Sequence, residues 1–114
     1  MTPEAAYKVL TDEQMQALEA DRFEGAEIDK KDGYIHLSTA DQLTETVDKH
    51  FEGQTDLWIA EVDLEVVGTQ IRWEESRGGQ KFPHLYGKLR LDTVIAYSPL
   101  ERDEDGRVKL PVAG

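Results

Sequence analysis

The amino-acid sequence predicts a single α+β domain in which two helices pack on a twisted, mostly antiparallel sheet. The predicted segments run strand, helix, strand, helix and then strands only, with two helices and at least five strands. That order is typical of an α+β fold and not of a doubly wound parallel sheet. No internal repeat or linker interrupts the 114 residues, and a chain of this length forms one core. We assign the domain to 1–114, with its core at about 5–100 and a charged turn and tail at 101–114.

The first strand and helix follow from local pattern. Tyr7–Leu10 is rich in strand-forming residues. A capping box comes next, in which the Thr11 hydroxyl accepts from the backbone of Gln14 and the Gln14 side chain reaches back. Met15 and Leu18 are three residues apart, which places both on the inner face of the helix.

The second strand decides which side chains face away from the core. The first helix ends at about Asp21, the segment Ala26–Gly33 is polar and charged, and Asp32–Gly33 is a turn signal that leads into the strand Tyr34–Leu37. Side chains alternate along a strand. Ile35 and Leu37 therefore point to the core. The opposite face of the strand carries the polar side chains of Tyr34, His36 and Ser38.

A second helix begins directly after this strand. Thr39–Gln42 is another capping box, and the helix is predicted to run to about Glu52, where Gly53 ends it. Its free N–H groups lie at the strand end that carries His36, beside the hydroxyls of Ser38 and Thr39. A helix start of this kind can hold an anion.

The second half of the chain is predicted to be strands joined by turns. Ser76–Lys81 contains two glycines and is predicted to be a mobile loop, and Val108–Leu110 a short edge strand. Pro83 disfavours helix at Phe82. The remaining strand or extended segments are Leu57–Val62, Gln70–Glu74, Phe82–Gly87 and Thr93–Tyr97.

Composition narrows the function classes. The net charge is −11, which repels phosphate backbones and argues against a nucleic-acid partner. There is no cysteine, so disulfides and thiolate chemistry are excluded. No segment approaches the ~20 apolar residues of a membrane helix. The N-terminus, Met1–Glu4, lacks the features of a signal peptide, so we expect a cytoplasmic protein without a membrane partner.

Two histidines are the candidate proton-transfer groups. His36 and His84 each stand among apolar residues, and histidine is the side chain best suited to exchange a proton near neutral pH. We hypothesise that the two stretches form one site, which requires both side chains on the same face of the sheet. The alternative is structural: a hydrogen-bonded or exposed His36, and a rigid loop at His84 whose aromatic neighbours cap the core.

Arg72 and Glu74 share a strand face. One interpretation is a surface ion pair of little energetic value. In the other, the Arg72 guanidinium clamps a carboxylate or phosphate of a ligand, and Glu74 is a base or accepts a hydrogen bond from a ribose hydroxyl. Metal-ligand spacing is absent, so no metal site is assigned. Ser38 lacks the Gly-x-Ser-x-Gly setting of a hydrolase nucleophile.

Three motifs carry a family resemblance: Asp32–Thr39 with Gln42, Ile71–Glu74 and Phe82–Leu89. From Tyr7 to Leu100 the chain resembles the domain of unknown function 952 family, a group of uncharacterised, mainly bacterial proteins. That family is grouped with the ADP-ribosyltransferase-like fold, a split antiparallel sheet that grips NAD in a cleft. The resemblance implies such a split sheet here, with NAD as a candidate substrate. In such enzymes a first-strand histidine or arginine helps to hold the nicotinamide ribose; many relatives have histidine where this chain has Lys8.

Two functions follow from the residues and the resemblance together. One is an enzyme, a transferase or hydrolase, that acts on an NAD- or ADP-ribose-like ligand. The other is a non-catalytic module that binds a small metabolite or peptide in the same cleft. We assign His36, Glu74 and His84 to catalysis. The predicted ligand-binding residues are Ser38, Thr39, Arg72 and Tyr86.

Overall fold

The computed structural model describes residues 4–75 and 77–111, and these form three α-helices and six β-strands. The helices are α1 (Asp12–Glu19), α2 (Glu27–Asp32) and α3 (Ala40–His50). The strands are β1 (Ala5–Thr11), β2 (Ile35–His36), β3 (Leu57–Asp63), β4 (Ile71–Glu75), β5 (Lys81–Leu85) and β6 (Val94–Pro99). The predicted α+β class is confirmed. The prediction of two helices is wrong by one.

The strands divide into two antiparallel sheets of three strands. The first sheet has the order β1-β3-β6 and the second the order β2-β5-β4. An isolated bridge connects them just beyond the end of β2. There the N–H of Tyr7 donates to the carbonyl of Ser38 at 2.7 Å, and the N–H of Ser38 donates back to Tyr7 at 2.9 Å. The two sheets diverge from this bridge, which positions β1 next to β2.

The extra helix is α2, which lies in the polar and charged segment 26–33, where no helix was predicted, and ends at the predicted turn Asp32–Gly33. Its sequence is Glu-Ile-Asp-Lys-Lys-Asp, which has no apolar stripe from which a helix could be predicted. Two local features define its ends. The Asp29 carboxylate accepts from the N–H of Ala26 at 2.8 Å, and Gly33 closes the helix in the left-handed conformation with φ of 88°.

The other two helices begin where the capping boxes predict. At α1 the Thr11 hydroxyl accepts from the N–H of Gln14 at 3.2 Å, and the Gln14 side chain accepts from the N–H of Thr11 at 2.9 Å. At α3 the Gln42 side chain accepts from the N–H of Thr39 at 3.0 Å. The helices end at Glu19 and His50, about two residues before the predicted ends.

Two of the predicted segments differ in the structure. Where the edge strand Val108–Leu110 was predicted, the structure has a single bridge between Arg102 and Val108. The predicted loop Ser76–Lys81 is a short 3₁₀ turn, Arg77–Gly79, followed by the start of β5. Ser76 and residues 1–3, part of the segment Met1–Glu4 used in the sequence analysis, lie outside the described residues.

Two apolar clusters flank β1. The first lies between the sheets and includes Leu10 and Val62 from one and Ile35 and Leu85 from the other. The second lies under α3 and includes Tyr7, Val9, Leu43 and Val47. Because side chains alternate along β1, Lys8 points the same way as Leu10, towards the first cluster. In the described part of the chain, no helix has both the length and the apolar content to cross a membrane.

Candidate functional site

The register of the second sheet aligns the predicted residues in one row. His36 pairs with His84, and His84 pairs on its other side with Arg72. Strand alternation then places Glu74 on that face as well. One face of this sheet therefore carries most of the predicted site, and it is the face opposite the buried pair Ile35 and Leu85.

Aromatic contacts bring the two histidine rings together. The Tyr34 ring stacks on the His84 ring with centroids 4.1 Å apart and planes at 26°. The rings of His36 and His84 meet edge to face at 5.4 Å, and the Tyr34 and Tyr86 centroids are 5.1 Å apart. Both histidine side chains thus lie on the same face of the sheet, as a shared site requires.

His84 is bound to a carboxylate on the neighbouring strand. Its Nδ1 lies 2.8 Å from Oε1 of Glu74, and the Tyr86 hydroxyl donates to the same oxygen at 2.8 Å. The hydrogen bond from His84, helped by that from Tyr86, lowers the pKa of Glu74. The bond to Glu74 raises the pKa of the Tyr86 hydroxyl. An ionised Glu74 can only accept, so Nδ1 of His84 carries the proton and Nε2 is its basic nitrogen.

His36 is held by two carboxylates. Its Nδ1 lies 2.7 Å from Oδ1 of Asp29, and its Nε2 lies 3.0 Å from Oδ2 of Asp32. Asp29 also accepts from the backbone N–H of His36 at 3.1 Å. The side chain of Asp29 is 1% exposed and that of Asp32 is 34% exposed. One carboxylate is therefore part of the interior, and the other reaches His36 from the surface.

Asp29 also pairs with the ammonium of Lys8. The Lys8 Nζ lies 2.9 Å from Oδ2 of Asp29 and donates to the backbone carbonyl of His36 at 3.1 Å. Burial alone would raise the pKa of Asp29, but the hydrogen bond from His36, the charge and hydrogen bond of Lys8 and the N–H of Ala26 outweigh it, so its pKa falls to about 2. Burial lowers the pKa of Lys8, although Asp29 opposes that shift.

A cleft of about 1180 Å³ opens beside β1 and β2. Of the predicted residues, His36, Ser38 and His84 line it, and Lys8 lines it from β1. The Ser38 hydroxyl is 2.9 Å from that of Thr46. The lysine, arginine and acidic residues that line the cleft are Lys8, Glu13, Arg22, Glu24, Glu27, Lys30, Lys31 and Asp32. Three histidines also line it.

The other predicted residues do not line this cleft. Glu74 does not line the cleft itself, but it contacts His84, which does. Arg72 is exposed and lies over the Tyr86 ring, 4.8 Å from its centroid. Both lie on the same sheet face, at the outer rim. Thr39 is placed as the residue that precedes α3, where its N–H is taken up by Gln42.

Sequence reasoning missed the carboxylates that hold His36. Asp29 and Asp32 precede His36 by seven and four residues. That spacing becomes informative only once α2 is known to be a helix that folds back on β2. The family resemblance drew attention to Lys8 but not to Asp29, with which Lys8 pairs. Among the described residues, no group of three or more histidine, aspartate or glutamate side chains is arranged to hold a metal ion.

Comparison with known proteins gives one family and one set of structures. The DUF952 family, described as protein of unknown function, matches residues 9–97. The crystal structure of protein CC0527 from Caulobacter crescentus is 42% identical in sequence, with a TM-score of 0.82 over 92% of this chain and 93% of that one. The solution NMR structure of CC0527 gives a TM-score of 0.77, over 92% and 91% of the chains. The comparison with curated proteins finds no match.

Proposed function

The chain belongs to the DUF952 family of proteins of unknown function, and we propose that it is an enzyme that acts on an NAD- or ADP-ribose-like ligand in this cleft. One observation carries the proposal. The cleft wall contains an imidazole, His84, whose Nδ1 is bound 2.8 Å from the carboxylate of Glu74. A carboxylate that fixes the tautomer of a histidine leaves Nε2 as a proton acceptor, which is the usual arrangement of a general base.

The size of the cleft and the divided sheet support a nucleotide-like ligand. Cavities for small ligands usually measure about 300–1,000 Å³, so a cleft of about 1180 Å³ suits a long ligand such as a dinucleotide. We infer that the fold is ADP-ribosyltransferase-like, since an antiparallel sheet that splits beside a cleft is what that grouping implies. The analogy of fold supports the class of ligand, but it does not assign a role to any individual residue.

In the proposed reaction His84 accepts the proton of the attacking hydroxyl through Nε2. The attacking oxygen forms a bond to C1′ of the ribose as the bond from C1′ to the nicotinamide nitrogen breaks. Nicotinamide leaves as a neutral molecule with the electron pair of that bond. Glu74 stabilises the imidazolium that forms on His84.

The remaining predicted residues bind ligand in this proposal. His36 and Ser38 contact the part of the ligand inside the cleft. Arg72 and Tyr86 contact the part that extends over the rim, where the planar guanidinium suits a phosphate or carboxylate. Thr39 contributes through the start of α3.

A second candidate is a binding module without catalysis. It is favoured by the contacts of His36, because both nitrogens of this ring already lie within hydrogen-bond distance of a carboxylate, which leaves neither open to a substrate. His84 is also only 3% exposed. In this alternative the cleft uses the same residues to hold a small metabolite or peptide.

The test separates turnover from binding. Thermal shift with NAD and ADP-ribose measures binding as a concentration-dependent rise in melting temperature, and chromatography measures nicotinamide release from NAD. We expect His84→Gln and Glu74→Gln to lower turnover by about 10²–10⁴-fold and to leave NAD binding intact. Glu75→Gln, an exposed neighbour in the same strand, is the matched control. Binding without turnover in the native protein would favour the module, and no binding of either nucleotide would reject the proposed ligand.

A further inference from the structure

The cleft has a position where one of the protein's own carboxylates contacts the imidazole ring of His36. Nδ1 of His36 lies 2.7 Å from Asp29, and Nε2 lies 3.0 Å from Asp32. Ionised carboxylates accept hydrogen bonds and cannot donate them. Each contact is a hydrogen bond only when the ring nitrogen carries the hydrogen, so this arrangement suits the doubly protonated ring, with one donor aimed at Asp29 and one at Asp32.

The two carboxylates differ in how firmly they are held. Asp29 accepts from four donors: Nζ of Lys8, the N–H of Ala26, and the N–H and Nδ1–H of His36. Its side chain is 1% exposed. Asp32 is a third exposed, and in the described part of the chain its side chain has no hydrogen bond other than that to His36. Asp29 thus orients the ring, whereas Asp32 can rotate away into solvent.

The charges around the cleft make Asp32 the balancing group. The lining contains four lysine or arginine residues and four acidic residues, of which Asp32 is one. Lys30 and Lys31 precede it in α2 and line the same cleft. When Asp32 rotates away from His36, Nε2 of the ring faces a cleft lined by four lysine or arginine residues and three other acidic residues. Such a position suits a phosphate or carboxylate oxygen.

We propose that Nε2 of His36 is an anion subsite of the cleft, that Asp32 occupies it in the free protein, and that a phosphate group of the ligand displaces Asp32. The inference rests on the proposed function for the identity of the ligand, since an NAD- or ADP-ribose-like molecule carries a diphosphate. Asp32 then acts as an internal competitor that selects for ligands whose anion outcompetes a surface carboxylate.

Inorganic phosphate is the probe, titrated at constant ionic strength and followed by the NMR signals of the His36 ring. We expect Asp32→Asn to tighten phosphate binding by about fivefold, the factor that corresponds to removal of an exposed ion pair of about 1 kcal/mol. Asp92→Asn is the matched control, because Asp92 is 74% exposed, lies outside the cleft lining and removes the same charge. In a His36→Gln background, Asp32→Asn should have no effect. Backbone NMR spectra of each variant report whether it is folded.

Two results would overturn the subsite: equal affinity in Asp32→Asn and the native protein, or equal tightening by Asp32→Asn and Asp92→Asn. ADP-ribose distinguishes the subsite from the proposed function. Phosphate binding as expected, with no ADP-ribose binding, would keep the subsite and reject the nucleotide ligand. ADP-ribose binding that is unchanged by Asp32→Asn would reject the subsite and leave the proposed function standing.

Discussion

Four hydrogen-bond donors converge on the buried carboxylate of Asp29, one of them the ammonium of Lys8. Removal of one member of a buried ion pair leaves an uncompensated charge and costs about 3–5 kcal/mol. We therefore expect Asp29→Asn to lower the free energy of unfolding by about that amount in urea denaturation. Asp32→Asn removes an exposed carboxylate from the same histidine and should cost no more than about 1 kcal/mol. Similar losses in both variants would contradict this assignment.

The lowered pKa of Asp29 also predicts that the free energy of unfolding depends on pH. Its pKa in the folded protein, about 2, lies below the ordinary value of 3.8, so the folded state binds this proton more weakly than the unfolded chain does. The resulting stabilisation is complete above about pH 5 and is lost as the pH falls through the folded value. It amounts to about 2 kcal/mol at ~1.4 kcal/mol per pKa unit. The stability difference between the native protein and Asp29→Asn should shrink by most of that amount between about pH 5 and pH 2. A constant difference would show that Asp29 does not titrate in this window.

At the residue scale, the sequence predicts which face of a strand a side chain occupies better than it predicts which residue that side chain will bind. Alternation along Tyr34–Leu37 puts Ile35 and Leu37 in the core, and both are buried. The same alternation predicts that His36 faces away from them, which the cross-strand pair with His84 bears out. The two carboxylates that contact His36, those of Asp29 and Asp32, cannot be predicted in this way. Their contacts depend on how the short helix α2 packs against β1 and β2.

At the scale of elements, Gly33 is the point at which α2 ends. Its φ of 88° is left-handed, and an added Cβ would meet nothing within 4 Å. The cost of Gly33→Ala is therefore the backbone strain alone, about 1–2 kcal/mol, measured as a loss in the free energy of unfolding. Gly68→Ala is the matched control, since its surroundings are equally open and its φ is not positive. A neutral Gly33→Ala would mean that α2 can end in another conformation.

The helices show why some elements can be predicted and others cannot. For α1 and α3, a capping box and an apolar stripe point to the same helix, and both begin at the predicted residue. In α2 the six residues are mostly charged and the buried one is Asp29. Asp29 pairs with Lys8, 21 residues away in sequence, a contact that no local sequence pattern predicts.

On the scale of the whole molecule, one apolar cluster joins two sheets that, within residues 4–75 and 77–111, share a single bridge. Leu10 and Val62 from the first sheet pack with Ile35 and Leu85 from the second. Sheets that bury their apolar faces against each other lose that burial together, which is the basis of cooperative unfolding. The division into two sheets was expected only from the family resemblance, since strand order depends on long-range pairing that periodicity does not encode.

The two tryptophans test this cooperativity, because each lies in a different sheet: Trp58 in β3 and Trp73 in β4. Trp73→Phe leaves fluorescence that reports on the first sheet, and Trp58→Phe leaves fluorescence that reports on the second. Within each variant we expect the urea midpoint from fluorescence to coincide with that from far-UV circular dichroism, which follows both sheets. The comparison is made inside one variant because each substitution changes stability in its own right. A fluorescence midpoint that departs from the dichroism midpoint would show that the sheets unfold separately.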